Sequence, residues 1–243
     1  MGLGPLRMRT ERLAAVCGLG ALAAWCAPAA APVFSPLAAI FGIPRRLPSP
    51  RGIALTFDDG PHPEGTPAVL ELLERAGARA TFFLVGEQVE RYPAIAAEVA
   101  AAGHEIGIHG YRHILLLRRT PSGLHDDYRR AEQTIGEATG RGSRLYRPPY
   151  GVFSAAGLAL SKQHGWAPLL WSTWGRDWEA RATPALIASR ATRNLTGGDV
   201  VLLHDADHYS STDSWRRTVA ALPAIIQAAG ATGEPFVTAS HST

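Results

Sequence analysis

The sequence predicts an α/β fold in which parallel strands alternate with helices and close into a barrel. About seven short apolar runs, separated by helical stretches, occupy most of the 243-residue chain. Polar side chains capable of catalysis or metal binding follow several of these runs. The strand ends converge at one mouth in a barrel but are spread along an edge in an open sheet. No glycine-rich phosphate loop marks a nucleotide-binding crevice, so we expect the barrel.

The N-terminal part of the chain predicts export. Three arginines within the first twelve residues precede residues 13–43, which contain no charged residue. The apolar stretch before Pro28 has the length of a signal-peptide core, and Ala29–Ala31 offers a small-residue cleavage site. We expect residues 1–43 to be a signal peptide or a membrane anchor. The protein is then exported, either secreted or anchored on the outer face of the cytoplasmic membrane.

A Pro-rich linker is predicted at residues 44–50, followed by one domain at residues 51–240. The chain has 24 basic and 21 acidic residues, and leaving out the first twelve residues reduces these numbers to 21 and 20. This near-neutral body has no basic stripe for a nucleic-acid backbone. Cys17 and Cys26 both precede the domain, which excludes a disulfide or a cysteine metal site within it.

The individual elements follow from apolar runs, glycine and proline boundaries and one clear N-cap, Thr183. Strands are predicted at residues 53–57, 80–85, 105–108, 145–146, 167–173, 200–203 and 235–237. Helices are predicted at residues 67–76, 93–102, 122–139, 155–164, 184–193 and 214–228.

Two adjacent carboxylates, Asp58 and Asp59, end the first predicted strand, before Gly60 and Pro61. Neighbouring acids at the end of a buried strand repel each other. A metal, an arginine, a raised pKa or contact with water must relieve that repulsion. A solvated Asp-Asp-Gly turn is the alternative interpretation of the same residues.

Two histidines, His109 and His113, are four residues apart. This spacing predicts that both rings lie on one face of a helical turn, where they can bind one cation. A carboxylate from the first strand end can supply a third ligand, and two histidines with one carboxylate suit zinc or a similar divalent metal. A chance surface pair is the alternative for an isolated motif of this kind.

Five segments in order resemble the motifs of the NodB-type polysaccharide deacetylases, carbohydrate esterase family 4, over roughly residues 51 to 240. The matching segments are Thr56-Phe57-Asp58-Asp59, residues 109–113, Arg147-Pro148-Pro149-Tyr150-Gly151, Asp177-Trp178 and Leu202-Leu203-His204-Asp205. The resemblance implies a distorted (β/α)7 barrel. It also implies a divalent metal, with zinc expected first and cobalt as the alternative, bound by Asp59, His109 and His113.

The resemblance further assigns catalytic roles. Asp58 is expected to be the general base, held ionised and oriented by Arg147. His204 is expected to protonate the leaving amine, with its pKa tuned by Asp177. Substrate contacts are expected from Trp178, which lines the acetyl methyl site, from Trp174, and from Tyr150, whose backbone N–H faces the oxyanion.

Two positions depart from the family pattern. Gly110 follows the first histidine, where the family usually has serine or threonine, and Trp174 replaces the aspartate that usually begins the fourth motif. The Asp177-Trp178 pair is retained, so we interpret Trp174 as a changed pocket wall. Retention of Asp58, Asp59 and His204 argues against a binding module without activity.

The predicted function is metal-dependent removal of N-acetyl groups from an amino-sugar polymer, either peptidoglycan or a chitin-like glycan. O-acetyl xylan esterase activity, a non-catalytic glycan-binding role and amidase activity on peptides or small amides are the alternatives. The expected partner is a polysaccharide and not a nucleic acid. Membrane contact is expected only through the N-terminal segment, and the protein is expected to be a monomer.

Overall fold

A computed structural model of the chain describes residues 18 and 20–240. In this part of the chain, seven strands form one parallel sheet in the order β5-β4-β3-β2-β1-β7-β6. The strands are β1 (Ala54–Asp58), β2 (Thr81–Leu84), β3 (Glu105–Ile108), β4 (Leu145–Tyr146), β5 (Ala167–Pro168), β6 (Thr173–Trp174) and β7 (Val200–His204). Strand β1 lies between β2 and β7, and all five of its residues are buried. Burial on both faces explains its continuous apolar run.

Helices cover the outside of the sheet. Among the described residues they are α1 (Ser35–Ile40), α2 (Gly65–Arg75), α3 (Gly86–Arg91), α4 (Pro93–Ala101), α5 (Pro121–Thr139), α6 (Ala155–Gln163), α7 (Pro184–Ala191) and α8 (Ser214–Gly230). Residues 20–26 are also helical, and short 3₁₀ turns lie at Ala27–Ala30, Leu116–Arg118 and Pro149–Gly151. The predicted N-cap is confirmed, because the Thr183 side chain accepts the N–H of Leu186 at 3.2 Å.

The sheet is curled into an open barrel. Strands β5 and β6 are its two edges, yet only residues 169–172 connect them. Such a connection spans at most about 18 Å, whereas a flat sheet of seven strands would separate its edges by about 29 Å. The predicted (β/α)7 barrel class is therefore confirmed, with a seam between β5 and β6 where the barrel does not close.

Residues 31–47 cover this seam. The Leu170 N–H donates to the Pro44 carbonyl at 2.9 Å, and Arg45 Nε donates to the Trp171 carbonyl at 3.0 Å. Ala31, Ala38 and Ile43 are buried and belong to the same hydrophobic core as the sheet. The end of the predicted export segment and the predicted linker are thus packed against the barrel.

Two predicted strands are wrong, and one helix was not predicted. The run 167–173 is two strands at opposite edges of the sheet, because the chain leaves the sheet at residues 169–172. There its backbone at residues 170–171 forms hydrogen bonds with Pro44 and Arg45 instead of with a strand, which an apolar run alone does not reveal. Residues 235–237 form only a single parallel bridge, between Phe236 and Ile53. Helix α3 was not predicted, since Val89 is the one large apolar residue among its six and a single such residue defines no apolar face.

The beginning of the predicted export segment lies outside the described residues, which leave out 1–17 and 19. Among the residues that are described, no helix has both the length and the apolar character required to cross a bilayer.

Candidate active site

The acidic pair lies at the carboxyl end of β1. Asp58 is the last residue of the strand and pairs in register with His204, the last residue of β7. Asp59 follows in the left-handed region, with φ of 76°, which turns its side chain toward the mouth of the barrel. Both carboxylates are 3% exposed, so the solvated-turn alternative is wrong.

A group of three ligand atoms forms around Asp59. Its Oδ1 lies 3.4 Å from Nε2 of His109 and 3.3 Å from Nε2 of His113. Among the described residues, these three side chains are the group whose ligand atoms converge closely enough to hold a metal ion. Asp59 Oδ1 is buried and has no hydrogen-bond partner, which leaves a lone pair directed at the cation position. The residues therefore fit a divalent metal such as zinc.

Hydrogen bonding and burial keep the two histidines in the form that binds metal. His109 Nδ1 lies 2.7 Å from the Arg147 carbonyl, so Nδ1 carries the proton and Nε2 offers its lone pair toward Asp59. Burial lowers the pKa of His113 to about 4, although the Asp59 carboxylate acts in the opposite direction. Burial raises the pKa of Asp59, but the nearby His109, His204 and His113 lower it overall. The neutral imidazole and ionised carboxylate are the species that coordinate a cation.

The segment that carries both histidines is a loop and not a helical turn, so that part of the prediction is wrong. Gly110 has φ of 87°, a conformation that favours glycine. A Cβ at this position would lie 3.1 Å from the Arg112 carbonyl and 3.3 Å from Oδ1 of Asp127. A serine or threonine would therefore be strained here, which explains the departure from the family pattern.

Asp127 on α5 holds this loop in place and was missed by the sequence analysis. One carboxylate oxygen accepts the N–H of Tyr111 at 2.9 Å, and the other accepts the N–H of Arg112 at 3.1 Å. The side chain is buried. Its position on the inner face of an amphipathic helix is the only sequence signal, and that signal does not distinguish a structural anchor from a surface acid.

We expect Asp127→Ala to lower the free energy of unfolding by about 2 kcal/mol, because the buried N–H of Tyr111 and the partly buried N–H of Arg112 lose their acceptor. We also expect zinc to bind about tenfold more weakly, since the histidine loop loses its support. Thermal unfolding and zinc titration measure the two effects. Asp126→Ala, which removes an exposed acid from the same helix, is the control. Equal results for the two variants would contradict a positioning role for Asp127.

Asp58 forms an ion pair with a fully buried arginine. Arg147 Nη1 donates to Asp58 Oδ1 at 2.7 Å and to Thr56 Oγ1 at 2.9 Å. The same guanidinium donates to two backbone carbonyls, and its carbon lies 4.0 Å from the centre of the Phe83 ring. Burial lowers the pKa of Arg147, while Asp58 acts against that shift. The predicted Asp58–Arg147 pair is present, and its geometry leaves Asp58 Oδ2 directed toward the site.

His204 and Asp177 form the second pair. His204 Nδ1 lies 2.9 Å from Asp177 Oδ1, and Asp177 Oδ2 accepts the His204 N–H at 2.7 Å and the Thr218 hydroxyl at 2.8 Å. Burial disfavours a charged ring, but the Asp177 carboxylate, with smaller contributions from Asp59 and Asp58, raises the pKa of His204 to about 10. The ring is therefore protonated at neutral pH and can donate a proton through Nε2, which lies 4.0 Å from Asp59 Oδ2.

A cavity of about 250 Å³ joins these groups at the mouth. Three predicted substrate contacts, Tyr150, Trp174 and Trp178, line it. The Trp178 ring meets His204 edge to face with centres 5.4 Å apart, and the exposed Tyr150 has φ of 61°. All ten predicted site residues thus lie in this cavity or directly behind its wall, but their contacts with substrate stay predictions.

Tyr209 was also missed by the sequence analysis. Its ring stacks on His113 at a centre distance of 4.2 Å, and Tyr150 makes a face-to-edge contact with the same ring. Its hydroxyl donates to Glu87 at 2.6 Å and accepts from Gln88 at 2.8 Å. Tyr209 lies in the loop after β7, where no periodic pattern could indicate its position.

Comparisons with known proteins show which chains this one is similar to. A family model described as polysaccharide deacetylase matches residues 46–169. The chain is 37% identical over 191 residues to a peptidoglycan-N-acetylglucosamine deacetylase of Bacillus cereus, an alignment covering 78% of this chain and 86% of the relative. It is 36% identical over 188 residues to a chitooligosaccharide deacetylase of Azorhizobium caulinodans, covering 74% and 89% of the two chains.

Solved structures share the fold. The crystal structure of a peptidoglycan N-acetylglucosamine deacetylase in complex with an N-hydroxybenzamide compound superposes with a TM-score of 0.76 at 29% identity. The match covers 82% of this chain and 92% of that chain. Nearly the whole length of that protein therefore has its counterpart in the seven-stranded barrel.

Proposed function

Because this chain belongs to the polysaccharide deacetylase family, we propose that it is a metal-dependent hydrolase that removes N-acetyl groups from an amino-sugar polymer. Polysaccharide deacetylases are hydrolases of amide bonds. The observation that supports the proposal is the convergence of Asp58, Asp59, His109, His113 and His204 in one cavity. These residues come from three separate segments of the chain, so their meeting in one cavity is not expected by chance.

We assign the metal site to Asp59, His109 and His113, with zinc as the expected ion and cobalt as the alternative. When bound there, a divalent cation lowers the pKa of a water molecule and polarises the carbonyl of the N-acetyl group. Two histidines and one carboxylate leave open positions for both. The unpaired Oδ1 of Asp59 supports this assignment.

Asp58 is the proposed general base. Its Oδ1 is held by Arg147, so Oδ2 stays free to accept the proton of the attacking water. Because Arg147 is anchored to three other oxygens, the base has one fixed orientation.

His204 is the proposed general acid. The protonated ring donates from Nε2 to the leaving amine while Asp177 holds Nδ1. The backbone N–H of Tyr150 faces the developing oxyanion, and Trp178 encloses the acetyl methyl. Trp174 extends the apolar wall toward the polymer.

The pair His204–Asp177 predicts a pH effect. We expect Asp177→Asn to lower the pKa of His204, because the carboxylate that raises it is removed. His204 acts as an acid only below its pKa, so the alkaline limb of kcat/KM moves to lower pH by about one pH unit or more. A pH–rate profile measures this shift, with Asp126→Asn as control. An unchanged alkaline limb would contradict the assignment of His204 as the acid.

The test of the proposed function is acetate release by the full chain, stripped of metal and then reloaded with zinc or cobalt. The substrates are N-acetylglucosamine oligomers, peptidoglycan fragments and acetylated xylan. Release from either amide substrate supports the proposal, and release from xylan alone identifies an O-acetyl esterase instead. No release with metal bound indicates the glycan-binding role or an amidase, which small peptide amides then distinguish.

Export, cleavage or anchoring of residues 1–43 and the monomeric state stay predictions. Cell-wall relatives support an exported enzyme, and fractionation of cells that express the full chain tests it. Recovery of active protein only from the cytoplasm would contradict export.

A further inference from the structure

A second cavity, of about 540 Å³, adjoins the catalytic one and is lined by four arginines: Arg46, Arg176, Arg190 and Arg193. Trp174 lines both cavities and forms the wall between them. This arginine groove runs along the free edge of β6, because β6 is the last strand of the sheet. A polymer leaving the catalytic cavity over Trp174 therefore reaches the groove directly.

The groove carries more positive charge than its own carboxylates balance. Arg46 pairs with Asp199 at 2.6 Å, while Arg176 and Arg190 share the single carboxylate of Glu179 at 3.1 and 2.7 Å. Arg193 is exposed and has no ion pair within residues 20–240. Four guanidinium groups thus face two carboxylates. This local excess stands out because the body of the chain is almost neutral.

Among the four arginines, Arg176 lies at the end of the groove next to the catalytic cavity. The guanidinium carbon of Arg176 lies 5.5 Å from the centre of the Trp174 ring, and Arg176 directly precedes Asp177 of the catalytic pair. Sugars stack on aromatic rings, and a charged substituent on the next sugar would lie beside this guanidinium. The planar guanidinium fork matches a carboxylate through two parallel hydrogen bonds.

We propose that the arginine groove binds carboxylate substituents of the glycan strand next to the sugar that is deacetylated. This inference rests on the proposed function and narrows its substrate. The preferred polymer is an acidic glycan that carries carboxylates, as the peptidoglycan strand does on its lactyl groups, and not a neutral chitin-like chain. A solvated charged face is the competing explanation, and it predicts no dependence on substrate charge.

The kinetic test compares three tetrasaccharides of equal length. They are a peptide-free peptidoglycan fragment with free lactyl carboxylates, the same fragment with those carboxylates converted to methyl amides, and a chitin oligomer. For Arg193→Gln we expect KM for the carboxylated fragment to rise about fivefold. The double variant Arg176→Gln/Arg193→Gln should raise this KM further, and kcat should be unchanged in both variants. KM for both neutral substrates stays the same. Arg193→Lys keeps the charge but not the planar fork, so we expect it to recover only part of the loss.

The matched control is Arg129→Gln, which removes an exposed arginine of α5, on the helix between β3 and β4. It also lowers the net charge by one but lies away from β6. A KM rise that is equal for charged and neutral fragments, or equal in Arg129→Gln, overturns the inference. An unchanged KM in the double variant also overturns it.

A binding measurement separates this inference from the proposed function. In the Asp58→Asn background, calorimetry with the same three fragments measures affinity without turnover. Weaker binding of only the carboxylated fragment in Arg176→Gln/Arg193→Gln supports the groove even where no substrate releases acetate. Equal affinity for charged and neutral fragments overturns the groove even where deacetylation is observed.

Discussion

Asp58→Asn is expected to lower kcat about 10³-fold, because it removes the group that accepts the proton of the attacking water. Asparagine has the size of aspartate and keeps an oxygen that can accept from Arg147 Nη1. The side chain, whose Oδ1 lies 2.7 Å from that donor in the wild type, should therefore keep its position. The amide cannot take up a proton at neutral pH. Acetate release under saturating substrate measures the effect.

The control for this variant is its affinity for zinc. Asp58 Oδ2 lies 3.9 Å from His109 Nε2, farther than Asp59 Oδ1, so Asp58 is not expected to be a ligand. We expect the zinc dissociation constant of Asp58→Asn to stay within about threefold of the wild-type value. Loss of a metal ligand, or of a hydrogen bond that holds a ligand, would weaken zinc binding by about tenfold or more. Turnover near the wild-type rate with metal bound would show that Asp58 is not the base.

Removal of the metal is expected to abolish acetate release, and zinc or cobalt is expected to restore it. Asp59→Ala should bind zinc at least about 10²-fold more weakly, because loss of a direct ligand exceeds the effect of losing an outer hydrogen bond. Zinc titration of the metal-free protein measures this without any substrate. His113→Ala should behave in the same way.

His125→Ala is the matched control for the histidine variant, since His125 is exposed on α5 and outside the cavity. It should bind zinc as the wild type does. Full activity after exhaustive chelation, with the absence of bound metal verified, would contradict a metal-dependent mechanism. Weak zinc binding in wild type itself would contradict the ligand assignment.

The positions of the catalytic residues could be predicted because each follows a strand. The carboxyl ends of parallel strands meet at one mouth of a barrel, so the sequence places Asp58, His109 and His204 together there. The Asp58–Arg147 contact joins residues 89 positions apart and came only from the family resemblance. Its geometry depends on curling of the sheet, which no local pattern indicates.

The missed residues lie where the sequence carries no periodic signal. Tyr209 is in an irregular loop, and Asp127 differs from exposed acids only by the helix face that it occupies. The 167–173 run was misread because an apolar run does not reveal where the chain leaves a sheet. The loop of His109 and His113 was predicted as helical from spacing alone, although Gly110 adopts a conformation incompatible with a helix.

The pairing of β1 with β7 affects how the chain folds. This early strand pairs with β7, so that the Thr56 hydroxyl donates to a carbonyl 145 residues later, at Val201. Contacts of such long sequence separation slow folding, because a large loop must close before they form. The base on β1 and the acid on β7 therefore cannot meet until nearly the whole polypeptide has been synthesised. Activity should accordingly be recovered late during refolding, after most of the helical signal has returned.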